Sequence, residues 1–109
     1  MNDRLKPWLS HYDQDVPSMI DIPAISLVDL FRESVTLYGD SIFTICKDIK
    51  HNYRDIDRLS DYISQSLASY GLQKGDRVGI LLPNLTEFVV SYYGVLKAGC
   101  VVMALNPAY

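Results

Sequence analysis

GLQKGDRVGILLPNLTEFVVSYYGVLKAGCVVMALNPAY, residues 71–109, reads as strand, helix, strand. Arg77 to Leu82 is a short, nearly unbroken apolar run, the pattern of a strand covered on both faces, and Cys100 to Leu105 repeats it. Between them Asn84 is placed to cap a helix, with Glu87 three residues on reaching back to the NH of the cap. Gly99 is the expected stop, because a residue without Cβ enters the left-handed conformation at little cost. Two buried strands joined by a crossover helix are most simply parallel neighbours with a right-handed connection. The expected class is therefore α/β, built on a parallel βαβ unit.

Working outward, Asp55 to about Tyr70 has Ile56, Leu59, Ile63, Leu67 and Tyr70 three or four apart, with Asp57, Arg58, Asp61 and Gln65 on the other side. This spacing predicts an amphipathic helix with those polar residues in solvent. Gly71 ends it, Leu72 folds back on the last turn, and Lys74-Gly75-Asp76 turns the chain into the first central strand. Upstream, Ser41 to Cys46 is β-branched and aromatic, and His51 to Tyr53 can return beside it after a polar Lys47-Asp48-Ile49-Lys50 turn, giving a β-hairpin. A first helix starts at Ser26, has Asp29 in capping position, carries Leu27, Leu30, Phe31, Val35 and Tyr38 at helical spacing, and stops at Gly39. Residues 1–25 contain Pro7, Pro17 and Pro23 and show no period, so they read as an extended arm ahead of a partial α/β domain over 26–109. Trp8, Leu9, Tyr12, Val16, Met19, Ile20 and Ile22 give that arm a reason to lie along a larger body.

The totals set bounds. A chain of 109 residues with 49% hydrophobic and 21% charged residues is too apolar for disorder and amounts to one domain at most. Its net charge of -3 gives no electrostatic reason to expect nucleic acid or an anionic membrane. Cys46 and Cys100 lie in apolar runs, where a thiol behaves as a small buried hydrophobe, and nothing points to an oxidising compartment or a disulfide. MNDRLK leads into Pro7 and Trp8 and not into an apolar segment, so no secretory signal is read. Phe88 to Leu105 is long and apolar, interrupted by Lys97 alone. A membrane span needs about 20 such residues. The helix-stop signals within the window favour a helix ending and a strand beginning.

A search for chemistry returns little. Gly71 and Gly75 follow a helix and open a strand, the reverse of a phosphate cradle, which follows a strand and opens a helix. His11 and His51 have no partner at metal-ligand spacing and no nucleophile beside them, and Asp13, Asp15 and Asp21 lack calcium-loop spacing. Tyr92 and Tyr93 sit on a helix that is apolar almost all round, where core packing outweighs a cofactor role. No catalytic, cofactor-binding or metal-ligating residue is assigned. One location has functional promise: in open parallel sheets ligands gather beyond the carboxyl ends of the strands, here Pro83 with Asn84 and Asn106 with Pro107.

Three stretches together carry a resemblance. NYRDIDRLSDYISQSLASYGLQKGDRVGILLPN, residues 52–84, resembles the opening of the adenylate-forming superfamily, which includes acyl-CoA synthetases, firefly-type luciferases and peptide-synthetase adenylation domains. EFVVSYYGVLKAGCVVMALNPAY, residues 87–109, is similar to the helix, KAG turn and strand ending in Asn-Pro that follow there. The arm KPWLSHYDQDVPSMIDIP, followed by SLVDLF, resembles the N-terminus of long-chain fatty acid CoA ligases. In place of the usual glycine-containing turn before Thr-Tyr stands KDIKHNY, so the geometry of the hairpin is the part least supported.

The resemblance implies the N-terminal portion of an adenylate-forming large domain, truncated before the phosphate loop. It implies a parent that uses ATP and Mg²⁺ to turn a fatty acid into an acyl adenylate and pyrophosphate, then lets the thiol of CoA displace AMP. In relatives the phosphate loop, the acidic residue on the ribose and the mobile lysine all lie beyond the position of Tyr109. The chain alone is thus expected to be inactive and to bind none of these ligands. In some CoA ligases a basic residue just after Asn-Pro meets CoA; here Ala108 stands there. A parent of this kind is expected in the cytoplasm, with room for peripheral membrane contact and no transmembrane segment. Two other readings stay open, a ligase for an aryl or amino acid and a stand-alone non-catalytic interaction module. The strand Cys100 to Leu105 closes the chain and lacks a further neighbour, so self-association into homo-oligomers is expected through unpaired backbone groups and apolar surface.

Overall fold

The computed structural model describes residues 6–109. A 3₁₀ turn, Pro7–His11, interrupts the arm, and the arm from Tyr12 to Ile25 is irregular and exposed throughout. The ordered body follows as α1 (Leu27–Tyr38), β1 (Ile42–Cys46), β2 (Ile49–Asn52), α2 (Tyr53–Ser69), β3 (Arg77–Ile80), α3 (Thr86–Lys97) and β4 (Val101–Ala104). β1 and β2 form an antiparallel hairpin, and β3 and β4 form a separate parallel pair with Arg77 opposite Val101 and Ile80 opposite Ala104. This mixed α/β arrangement, with a hairpin, amphipathic helices and a βαβ unit, is the one the sequence predicts.

Local chemistry explains most of the boundaries. Ser26 Oγ accepts from the Asp29 amide at 3.0 Å and opens α1. The start of α2 falls two residues before the expected one, because Asn52 and Asp55 form a reciprocal capping box, each side chain accepting from the other's amide at 2.7 and 3.1 Å. At its other end Gly71 has φ 88°, and the amides of Leu72 and Gly71 return to the carbonyls of Leu67 and Ala68. α3 closes the same way, with Gly99 at φ 75° and the amides of Cys100 and Gly99 returning to Val95 and Leu96. Both are Schellman closures, and both exploit a residue free to take positive φ.

Three readings of the sequence are corrected. The hairpin turn is two residues long, Lys47 and Asp48 at φ 50° and 65°, so the return strand begins at Ile49. Two consecutive positive φ values match the strand twist without glycine, since the paired strands impose them. Asn84 caps nothing: the cap residue of α3 is Leu85, extended and without a side-chain cap, because Thr86 turns inward and donates to Thr44 Oγ1 at 3.0 Å. Glu87 accordingly makes no return bond. Finally, β3 and β4 are covered on one face only. Val78, Ile80 and Val102 pack towards the helices, while Val101, Met103 and Leu105 are 47, 45 and 41% exposed on the face where Met103 and Leu105 reach over Gly79.

The interior has two parts joined by α3. Phe31, Ile56 and Val90 form the first, surrounded by Phe43, Tyr53 and Tyr93. Ile80, Val95 and Cys100 form the second, against β3 and β4. α3 is apolar nearly all round because it serves both. It approaches α2 closely at Gly94, where a Cβ would stand 2.5 Å from Ile63 Cγ2 and 3.1 Å from the Ser60 carbonyl. In the first part Tyr93 stacks on Phe31 at a centroid distance of 4.1 Å, and Phe43 on Tyr53 at 4.4 Å. Burial, then the neighbouring Tyr92 and Tyr53, push the Tyr93 phenol above its ordinary value of 10.0.

Two outcomes follow. Gly94→Ala forces overpacking against Ile63 and the Ser60 backbone and should cost about 1–3 kcal/mol in urea unfolding, with the midpoint falling and the slope unchanged. Because the folded state holds the Tyr93 proton more tightly than the unfolded chain, its contribution is complete below pH 10.0 and is lost as pH rises through the folded value. Unfolding free energy should therefore fall more steeply above pH 10 in the parent chain than in Tyr93→Phe, measured with tyrosinate absorbance in parallel.

Candidate functional site

The carboxyl ends of β3 and β4 open onto a cleft of about 450 Å³, where the sequence placed it. Leu82, Pro83 and Asn84 line one side, Leu105, Asn106 and Pro107 the other, and Phe88 from the first turn of α3 lies at the back. Each part has a local cause. Parallel pairing, with the Leu105 amide donating to the Ile80 carbonyl at 2.9 Å, brings the two strand ends side by side. Asn106 turns the chain away by accepting from the Ala108 amide at 2.9 Å. Asn84, released from capping, makes no side-chain hydrogen bond among the described residues and is exposed at the rim.

The lining contains two side-chain amides and no ionisable group. Such a cleft can orient a ligand by hydrogen bonds and apolar contact. It holds no general acid, base or nucleophile. The residues present do not fit a nucleotide and its metal: Cβ atoms built at Gly71 and Gly75 would meet nothing within 4 Å, so no cradle closes there, and among the described residues no group of three His, Cys, Asp or Glu is placed to hold a cation. Asp13, Asp15 and Asp21 are exposed on the arm, and His11 ends the 3₁₀ turn.

Two smaller hollows lie between the hairpin and the start of α3. One of about 310 Å³ is lined by Thr44, Cys46, Thr86 and Val89; the other, of about 120 Å³, by Cys46, His51 and Glu87. The Nδ1 of His51 is buried there without a hydrogen-bond partner among the described residues, a feature the spacing of the sequence did not single out. Cys46 and Cys100 are free thiols, the latter buried.

A charged cluster lies elsewhere, between α2 and α3. The Lys97 side chain is 2% exposed, and its Nζ donates to Asp57 Oδ1 at 2.6 Å, Asp61 Oδ1 at 2.8 Å and the Asp57 carbonyl at 3.0 Å. It also stands 5.4 Å from the centroid of the Phe31 ring. Asp57 and Asp61, 31 and 51% exposed, keep the solvent side that the sequence predicts for α2, and they also hold Lys97 from α3, a partner the spacing did not indicate. Two charges one turn apart on a helical face were the available signal, together with a lone lysine on an apolar helix. No helix among the described residues is long and apolar enough to cross a membrane.

Comparison with known proteins agrees with this geometry. The model of the AMP-binding enzyme family matches residues 31–109. The long-chain-fatty-acid–CoA ligase of Bacillus subtilis (strain 168) is 38% identical over 104 residues, and that of Escherichia coli O6:H1 is 38% identical over 109; each match covers 95% of this chain. Triostin synthetase I of Streptomyces triostinicus is 28% identical over the whole chain. The chain spans about a fifth of the length of these relatives, 19, 19 and 21% respectively. Among solved structures, Mycobacterium smegmatis MbtA superposes with a TM-score of 0.73 at 34% identity, over 80% of this chain and 16% of that one. An anthranilate CoA ligase, AuaEII, shares the fold with a TM-score of 0.75 over 82% of this chain and 17% of its own, at 21% identity. With a strand–helix–strand unit ending in an uncharged cleft, and with the family model running over most of its length, the chain belongs to the AMP-binding enzymes, the adenylate-forming ligases.

Proposed function

We propose that the chain is the opening part of the large domain of a long-chain fatty acid CoA ligase, with residues 1–25 as an arm and 26–109 as the first α/β portion. One observation carries this reading: 38% identity to long-chain-fatty-acid–CoA ligases over 95% of the chain, against 28% for Triostin synthetase I. In the parent, a fatty acid carboxylate attacks the α-phosphorus of ATP, giving an acyl adenylate and pyrophosphate, and the CoA thiol then displaces AMP to leave a thioester. ATP, Mg²⁺ and CoA are the parent's cofactors and the cytoplasm its setting, with peripheral contact at a membrane where the substrate is collected.

The residues of this chain are assigned no chemical step. Charge develops on phosphates and on a tetrahedral carbon, and stabilising it takes cations and converging NH groups. Neither is gathered in the cleft at the strand ends. What the chain supplies is framework: β3 and β4 in parallel, α3 across them, and two loops, Pro83-Asn84 and Asn106-Pro107, held at the same end. A ligase for an aryl or amino acid is the second reading, supported by the o-succinylbenzoate CoA synthetase MenE of Bacillus subtilis, which superposes with a TM-score of 0.68 at 25% identity.

Pyrophosphate exchange by the intact parent should respond to palmitate well above benzoate or any amino acid, and no response to fatty acids would overturn the substrate class. The 109-residue chain should consume no ATP with any carboxylate. Its bare β3–β4 face, with Val101, Met103 and Leu105 in solvent, should also drive self-association. Sedimentation velocity at rising protein concentration should show a growing dimer or higher species; a monomer at all concentrations would count against it.

A further inference from the structure

We propose that Lys97 is a positioning residue that fixes the register of α3 against α2 and thereby sets where α3 begins at the cleft. The proposal is independent of which acid the parent activates. It starts from the composition of α3. Beyond Glu87 and Ser91 near its start, that helix has little polar side to point outward, and apolar contact is non-directional. Sliding or rotating such a helix exchanges one apolar contact for another.

Two features break that freedom. Gly94 fits over Ser60 and Ile63, and Lys97 sits between Asp57 and Asp61. The spacings agree: Lys97 is three residues beyond Gly94 in α3, and Asp57 is three residues before Ser60 in α2, as antiparallel neighbours require. A slip of one helical turn, about 5.4 Å, would carry the ammonium past one of the two carboxylates, which are themselves one turn apart, and leave it only the other. Steric fit also opposes a slip, because one turn in either direction brings Val90 or Ala98, each with a Cβ, to the place where Gly94 leaves no room for one. The ion cluster penalises displacement in either direction.

The geometry points to register over stability as the role. A buried ion pair loses in desolvation much of what it gains by attraction; replacing both partners with apolar residues is often neutral or better, and removing one is costly only where the other stays buried. Asp57 and Asp61 are 31 and 51% exposed, so both can turn to water if Lys97 goes. The consequence reaches the cleft through the helix itself. Phe88, which backs the cleft, lies nine residues before Lys97, about 14 Å along a rigid axis.

The test is Lys97→Met in the 109-residue chain, read by thermal unfolding and by two-dimensional NMR. The expected result is a midpoint within about 5 °C of the parent, with the Gly94 and Phe88 amide signals split or broadened and the Phe31–Tyr93 ring contact weakened. Lys97→Arg, which keeps the charge and both partners, should restore a single set of signals. One sharp set in Lys97→Met with the parent's Gly94–Ile63 and Phe31–Tyr93 contacts would overturn the proposal. If Lys97→Met fails to fold, the triple variant with Asp57→Asn and Asp61→Asn removes every charge of the cluster. A folded triple variant with multiple signals supports the register role; a folded one with a single set, or an unfolded one, overturns it.

Discussion

The close approach of α3 to α2 is the constraint from which the rest of the body is arranged. At Gly94 the two helices come so near that a methyl group would overlap Ile63, and Ser60, fully buried, lies opposite with its hydroxyl bonded to the Asp57 carbonyl at 2.9 Å. Small residues at that contact allow the larger ones around it to interdigitate, and interior packing this dense tolerates few alternatives. Once α3 is seated on α2, its remaining sides are committed. Val90 and Tyr93 complete the core with Phe31 and Ile56, and Val95 closes the second core with Ile80 and Cys100. The hairpin is then tied in by the Thr86–Thr44 hydroxyl pair, and α1 by the ring of Phe31 beneath Lys97.

The same seating explains why the cleft lies where it does and why it is chemically quiet. α3 runs back across β3 and β4, so its first turn stands at their carboxyl ends and its last turn at their amino ends. All charge buried by the helix is at the far end, on Lys97, while the near end offers Asn84, Asn106 and apolar side chains. A framework of this kind fits the reading proposed for the parent, in which this part of the chain carries no chemical step. It also fits a chain that spans about a fifth of the length of its relatives and leaves one face of its parallel sheet uncovered.

Much of this was legible in residue order. The periodicity of α1 and α2, the glycine closures at Gly71 and Gly99, the parallel pair and the position of the cleft all follow from signals confined to a few neighbouring residues. The misreadings share a cause. Asn84 has the right residue type and spacing for a cap, yet Thr86 finds a half-buried partner, Thr44, 42 residues away and the helix starts at it instead. Lys47 and Asp48 carry no glycine signal, yet the pairing of Cys46 with Ile49 holds both at positive φ. Asp57 and Asp61 belong to the solvated face that the sequence predicts, yet the lysine they hold comes from α3 and is not visible in their own spacing.

Sequence by itself determined which segments are helix and strand, their order and the α/β class, because capping, periodicity and glycine closure act over four or five residues; the family followed from the resemblance of its motifs. Only the tertiary structure decided which face of each element is covered, how α3 is aligned on α2, and that a lone lysine in an apolar stretch is held by two carboxylates. Those outcomes depend on atoms 30 to 40 residues apart in the chain, and no local preference can report the energy of a contact whose partner lies on another element.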